Sequence, residues 1–275
     1  MKSYLAMLGN NLLYVAVTVL VILIYNVVVD PILGWGQFGT GENISVQLFM
    51  VLAAAILLSG LVYNIKNRLL KQTTESFWKL SNFSKVSPGV NVHMITMGLA
   101  FTLLNAAIMK LLLYYNNTSM NEFLEVFYNS VPFIILIISA VVNTSLELIL
   151  FFGIMFNEAR KNVPVVWPIL FIALIFAALQ APAGIVMILI GGALGIIYGM
   201  IYIHTSSIWP VILIGITFNV SLFSMKKIGW LDSMENFSEF TLILLTVVSG
   251  LYLLFSTLWY WRKSKMSKEF KQESI

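Results

Sequence analysis

The stretch Asn143–Gly153, NTSLELILFFG, lies inside a longer apolar run, Val131–Phe156, and carries one carboxylate, Glu147. No residue of opposite charge falls within a helical turn of it. About 20 mostly apolar residues cross a bilayer as a helix, so the run predicts a membrane span with an acid inside it. Such an acid is either compensated by its surroundings or marks a working site. Choosing between these depends on whether the rest of the chain is built the same way.

It is. The chain has 275 residues, 59% of them hydrophobic and only 10% charged, against about 25% charged in soluble domains. Its mean hydropathy is +0.90. These values predict an all-α polytopic membrane protein of about eight transmembrane helices, a helical bundle forming a single membrane domain over 1–275. The expected spans are Leu5–Val29, Ile44–Tyr63, His93–Tyr115, Val131–Phe156, Val165–Gln180, Ile185–Ile203, Ile208–Met225 and Phe240–Trp261. The fifth and seventh are short. The first reads as a span and not a cleavable signal, because its apolar part ends in Asp30-Pro31 without a small-residue cleavage site. Cysteine is absent, so disulfides and thiolate metal sites are excluded.

Charge placement orients the bundle. Asn64–Val92 holds Lys66, Arg68, Lys71, Lys79 and Lys85, Asn157–Pro164 holds Arg160 and Lys161, and the tail 262–275 is strongly basic. The alternate loops are poor in Lys and Arg, and Asn116–Ser130 carries Glu122 and Glu125. By the positive-inside rule both termini are expected in the cytoplasm, with the chain multi-pass in a plasma membrane. Trp35, Tyr63, Tyr114, Trp167, Trp209 and Trp259 stand near span ends, as interfacial anchors do. The lipid bilayer is an expected partner, and nucleic acid is not.

Polar residues within spans concentrate in the second half. Asn143 and Glu147 are four apart and share a helix face. Gln180 closes the fifth span and Asn219 lies in the seventh. Between them Gly191, Gly195 and Gly199 recur every four residues, a small-residue ridge for close helix packing.

Over roughly 131–220 the order of these pieces resembles the CPBP or Abi group of intramembrane metalloproteases, which includes the CAAX prenyl endopeptidases. That group carries Glu-Glu-x-x-x-Arg followed by Gly, then Phe-x-x-x-His with x-Pro, then His-x-x-x-Asn or Asp after a Ser-hydrophobic-Trp lead-in. Aligned on Gly153, Glu147 matches the first glutamate, Leu148 stands for the second, and Phe152 for the arginine. Phe176 and Pro182 match the second motif, with Gln180 in place of histidine. In the third, Ser207-Ile208-Trp209 and Asn219 match, and Gly215 takes the histidine's place.

The resemblance implies zinc for active relatives, with a glutamate activating water and the histidines helping to hold the metal or the transition state. Catalytic zinc needs about three His, carboxylate or thiolate ligands. Glu147 alone qualifies among the motif positions, so no metal or other cofactor is expected here. The remaining histidines, His93 and His204, read as ordinary residues at span ends. Leu148 and Phe152 replace both partners of an ion pair, a change that can be neutral or stabilising where loss of one partner is not.

An acid in low dielectric favours its uncharged form. In that form Glu147 can donate to Asn143, Gln180 or Asn219, and these four are expected to make a hydrogen-bonded polar cavity. Such contacts contribute about 0.6 kcal/mol each in a membrane. Lys110, near the end of the third span, is expected to snorkel past Tyr114, with a salt bridge to Glu147 as the alternative. The expected function is a catalytically inactive member of the group that acts by binding. It would serve as scaffold or regulator of another membrane protein or peptide, or in bacteriocin self-immunity. The alternatives are an active endopeptidase with an altered site and a substrate-binding or transport subunit.

Overall fold

In hydrocarbon each backbone N–H and C=O must find a partner within the protein, and a helix satisfies them within the segment. The computed structural model of the chain describes residues 2–34, 44–69, 76–115, 132–161, 163–181 and 184–272. Trp35, Lys71, Glu122, Glu125 and Pro182 lie outside the described residues, as do the tail's basic side chains beyond Arg262.

Helix α1 (Lys2–Ile24) runs through a π-helical turn, Tyr25–Val29, to Leu33. Helix α2 is Ile44–Leu69, α3 the short Phe77–Leu80, and α4 Pro88–Tyr114. Helix α5 starts as Phe133–Leu148, widens into a π-helical segment, Ile149–Met155, and ends as Phe156–Arg160. Then follow α6 (Val166–Leu179), α7 (Ile185–Thr205), α8 (Trp209–Lys227), the short α9 (Trp230–Ser233) and α10 (Glu239–Gln272). Pro88 and Pro210 sit in the first turns of α4 and α8, where a missing N–H costs nothing. The Ser76 side chain caps α3 by accepting from the Lys79 N–H at 3.2 Å.

The chain is a multi-pass membrane protein: seven helices among the described residues are long and apolar enough to cross. The expected fifth span is the exception. Helix α6 has 14 residues, about 21 Å of helix against about 30 Å of hydrocarbon. It packs along α7 instead of standing alone.

That packing uses the glycine ridge. A Cβ on Gly191 would lie 2.6 Å from the Phe176 carbonyl oxygen, one on Gly195 2.7 Å from Ala173 Cα, and one on Gly199 3.0 Å from Ile169 Cγ1. Gly195→Ala therefore presses a methyl onto backbone. It is expected to cost about 1–3 kcal/mol, seen as a lower thermal midpoint. Gly192→Ala, whose Cβ would meet its nearest neighbour at 3.6 Å, is the matched control.

Helix α4 packs against both α8 and α10, α8 against α5, α5 against α2, and α2 against α1. A second apolar cluster closes one end of the bundle, joining Ala106 and Met109 of α4 to Met187, Met225, Leu231 and Met234. Lys110 lies beside it. Its side chain is 2% exposed and its Nζ sits 2.7 Å from Glu235, so it neither snorkels past Tyr114 nor meets Glu147. Tertiary packing is the cause: the 3-10 turn Met234–Asn236 after α9 contacts α4 and brings a carboxylate to the lysine.

Candidate binding cavity

Helix α5 presents Asn143, Thr144 and Glu147 on neighbouring positions of one face. Helix α8 sets Asn219 across from them, the end of α6 brings Gln180, and α4 contributes Asn105. These six polar residues line one cavity of about 260 Å³ whose other walls are largely apolar. All four residues assigned to a polar cavity from the sequence are therefore on its surface.

Their hydrogen bonding differs from the expected cluster. Asn219 Nδ2 donates to Thr144 Oγ1 at 2.9 Å. Glu147 and Gln180 make no side-chain hydrogen bond among the described residues. The cause is the glycine one turn before Asn219. A Cβ on Gly215 would lie 2.6 Å from Thr144 Cγ2, 3.0 Å from Leu148 Cδ1 and 3.2 Å from the Tyr198 hydroxyl. Without a side chain at 215, α8 approaches α5 closely and delivers Asn219 to Thr144, leaving Glu147 facing the cavity.

The other motif positions are filled by packing. Leu148 is 1% exposed and Phe152 fully buried. The Phe152 ring lies 5.8 Å from Phe176 and 5.9 Å from Tyr198, and Phe176 is itself 5.9 Å from Tyr198. Such aromatic contacts contribute about 0.5–1.5 kcal/mol each beyond their burial. His93 bonds Ser256 at 3.1 Å and stacks on Trp259, while His204 packs on Tyr260. Both histidines face α10, and neither lines the cavity. Glu147 is the one carboxylate lining it, and no group of three metal-ligating side chains occurs among the described residues. The donor set does not suit a catalytic zinc, which takes three such ligands.

Residues 129–221 match the Rce1-like family, described as type II CAAX prenyl endopeptidase Rce1-like. The match covers about a third of the chain and coincides with the segment that resembles the CPBP/Abi group. No curated protein and no solved structure matches.

The segment that matches this family model holds further polar groups, at positions expected from the sequence to lie in a loop. Asn157 and Glu158 still belong to α5 and are buried. The π-helical segment disturbs the usual i→i+4 pairing of carbonyls. The Asn157 amide meets the carbonyls of Gly153 at 2.8 Å and Phe152 at 3.3 Å, together with Leu80 O at 2.7 Å and the Tyr202 hydroxyl. Glu158 accepts from Lys66 of α2 and from Lys161.

The stretch Ser207-Ile208-Trp209 is held from outside the matched segment. Ser207 Oγ donates to Ser84 O at 2.6 Å, and the Ile208 N–H to Asn82 O at 3.1 Å. A mixed-charge helix end after an apolar run, Asn157-Glu158-Ala159-Arg160, was the available signal. It does not reveal which lysines arrive.

Proposed function

We propose that this chain acts by binding, without peptide hydrolysis, as an Rce1-like membrane protein that scaffolds or regulates another membrane protein, or confers immunity to a bacteriocin. The observation that carries this is the crowding at Gly215. The place of the motif's second histidine has no room for a side chain, because Thr144, Leu148 and Tyr198 occupy it. The arginine's place is likewise taken by Phe152 inside an aromatic cluster. What remains is a polar-floored, apolar-walled cavity of the kind that binds small molecules or peptide segments.

An altered-site endopeptidase is the second reading, because Glu147, Gln180 and Asn219 do line one cavity. It would use Glu147 as base and the two amides as oxyanion donors. One N–H of the Asn219 amide, however, already donates to Thr144.

Zinc content and cleavage of CAAX-type peptides by the purified full chain separate the readings, with Glu147→Ala as control. We expect substoichiometric metal and no cleavage that depends on Glu147. Stoichiometric zinc, or cleavage abolished by Glu147→Ala, would overturn the binding reading.

A further inference from the structure

We propose that the cavity takes a single-chain amphiphile with a primary ammonium head, its tail lying in an apolar groove that adjoins the cavity. This inference rests on the binding reading above.

The head-group chemistry follows from what the cavity leaves unsatisfied. The Glu147 carboxyl has no hydrogen-bond donor or cation among the described residues. Asn105 is 3% exposed, and its Oδ1 has no donor there. The Asn105 oxygen is a buried acceptor without a donor, which is costly, and the Glu147 carboxyl faces the same cavity. An ammonium head carries several N–H donors and the counter-charge that a lone carboxylate in hydrocarbon lacks. An ammonium charge beside Glu147 favours the ionised carboxylate over the uncharged form that low dielectric otherwise favours, and an anionic head brings no such counter-charge.

The tail follows from a second space. An apolar groove of about 380 Å³ lies between α4, α7 and α10, lined by residues such as Leu104, Ile197, Leu253 and Leu254. Phe101 and Ile190 line both this groove and the polar cavity. These two side chains stand between the neighbouring spaces, so the tail of a ligand seated at Glu147 reaches the groove by displacing Ile190 or Phe101. Lipid chains are as apolar as the groove walls. The tail therefore orients the ligand, and discrimination rests on the head.

Photo-labelling of the full chain in nanodiscs of zwitterionic lipid tests this, using a diazirine-bearing twelve-carbon amine as probe. The expected labels fall on the α4, α7 and α10 residues around Phe101, Ile190 and Leu254. Dodecylamine should compete and dodecanoic acid should not. Glu147→Gln keeps the side chain's shape and should weaken competition about tenfold, as expected for losing a hydrogen bond to a charged group. Ile190→Trp, which thickens the partition, should reduce labelling in the groove. Equal competition by the acid, labelling spread over α1, or competition unchanged in Glu147→Gln would each overturn the proposal. Any of these without peptide cleavage removes only the amine. Cleavage that depends on Glu147 removes the binding reading itself.

Discussion

Replacing Glu158 with leucine is expected to destabilise the protein by about 3–5 kcal/mol, the usual cost of removing one partner from a buried ion pair. The Glu158 side chain is 4% exposed, and its two oxygens are divided between two lysines. Oε1 accepts from Lys161 at 2.9 Å, and Oε2 pairs with Lys66. Lys66 is 13% exposed and Lys161 44%. Without Glu158, Lys161 can turn to solvent, but Lys66 stays largely enclosed.

Among the described residues, the remaining attraction for Lys66 is the Tyr63 ring, 5.6 Å from its Nζ. A contact of that kind contributes only about 0.5–2 kcal/mol. Two further variants make the result interpretable. Lys161→Met should cost about 0.2–1 kcal/mol, as for an exposed pair. Lys66→Met combined with Glu158→Leu should recover most of the loss, because both buried charges then leave together. Unfolding midpoints in one detergent would show all three. A loss below about 1 kcal/mol for Glu158→Leu would contradict the assignment of this ion cluster as the tie between α2 and α5.

Gly215→His is expected to destabilise the fold and to recruit no metal, although a histidine is what the resemblance to the CPBP/Abi group places at this position. A Cβ alone would press on Thr144 Cγ2 at 2.6 Å and Leu148 Cδ1 at 3.0 Å. Overpacking of this kind costs about 1–3 kcal/mol or more. Gly215→Ala should show the same sign with a smaller size. Thr144→Ser removes the crowding methyl and keeps the hydroxyl that accepts from Asn219. Added to Gly215→Ala it should recover part of the loss, a favourable coupling between residues in contact. A Gly215→His protein with an unchanged thermal midpoint and stoichiometric zinc would refute both the crowding and the proposed binding function.

Much of the membrane fold could be read along the chain. Apolar run length places seven of the spans to within a few residues, because hydrocarbon admits few alternatives to a helix. The four-residue spacing of Gly191, Gly195 and Gly199 identifies a packing face, which turns out to lie against α6. The polar floor was also legible, since Asn143, Glu147, Gln180 and Asn219 are conspicuous in apolar surroundings. All four line one cavity.

Partner choice was not legible. Lys110 found Glu235 in a segment read as a loop, and Asn219 found Thr144, which carried no signal of its own. Glu158 found Lys66 across 92 positions of chain. The sequence alone determined seven of the segments long and apolar enough to cross the bilayer and which motif side chains are missing, because transfer from water and side-chain chemistry are local properties. Only the tertiary structure decided that Gly215 brings α8 onto α5, that Glu147 is left facing a cavity, and that an apolar groove adjoins it. Each of these depends on how closely two helices distant in sequence approach, and that distance is set by the shapes of both faces together.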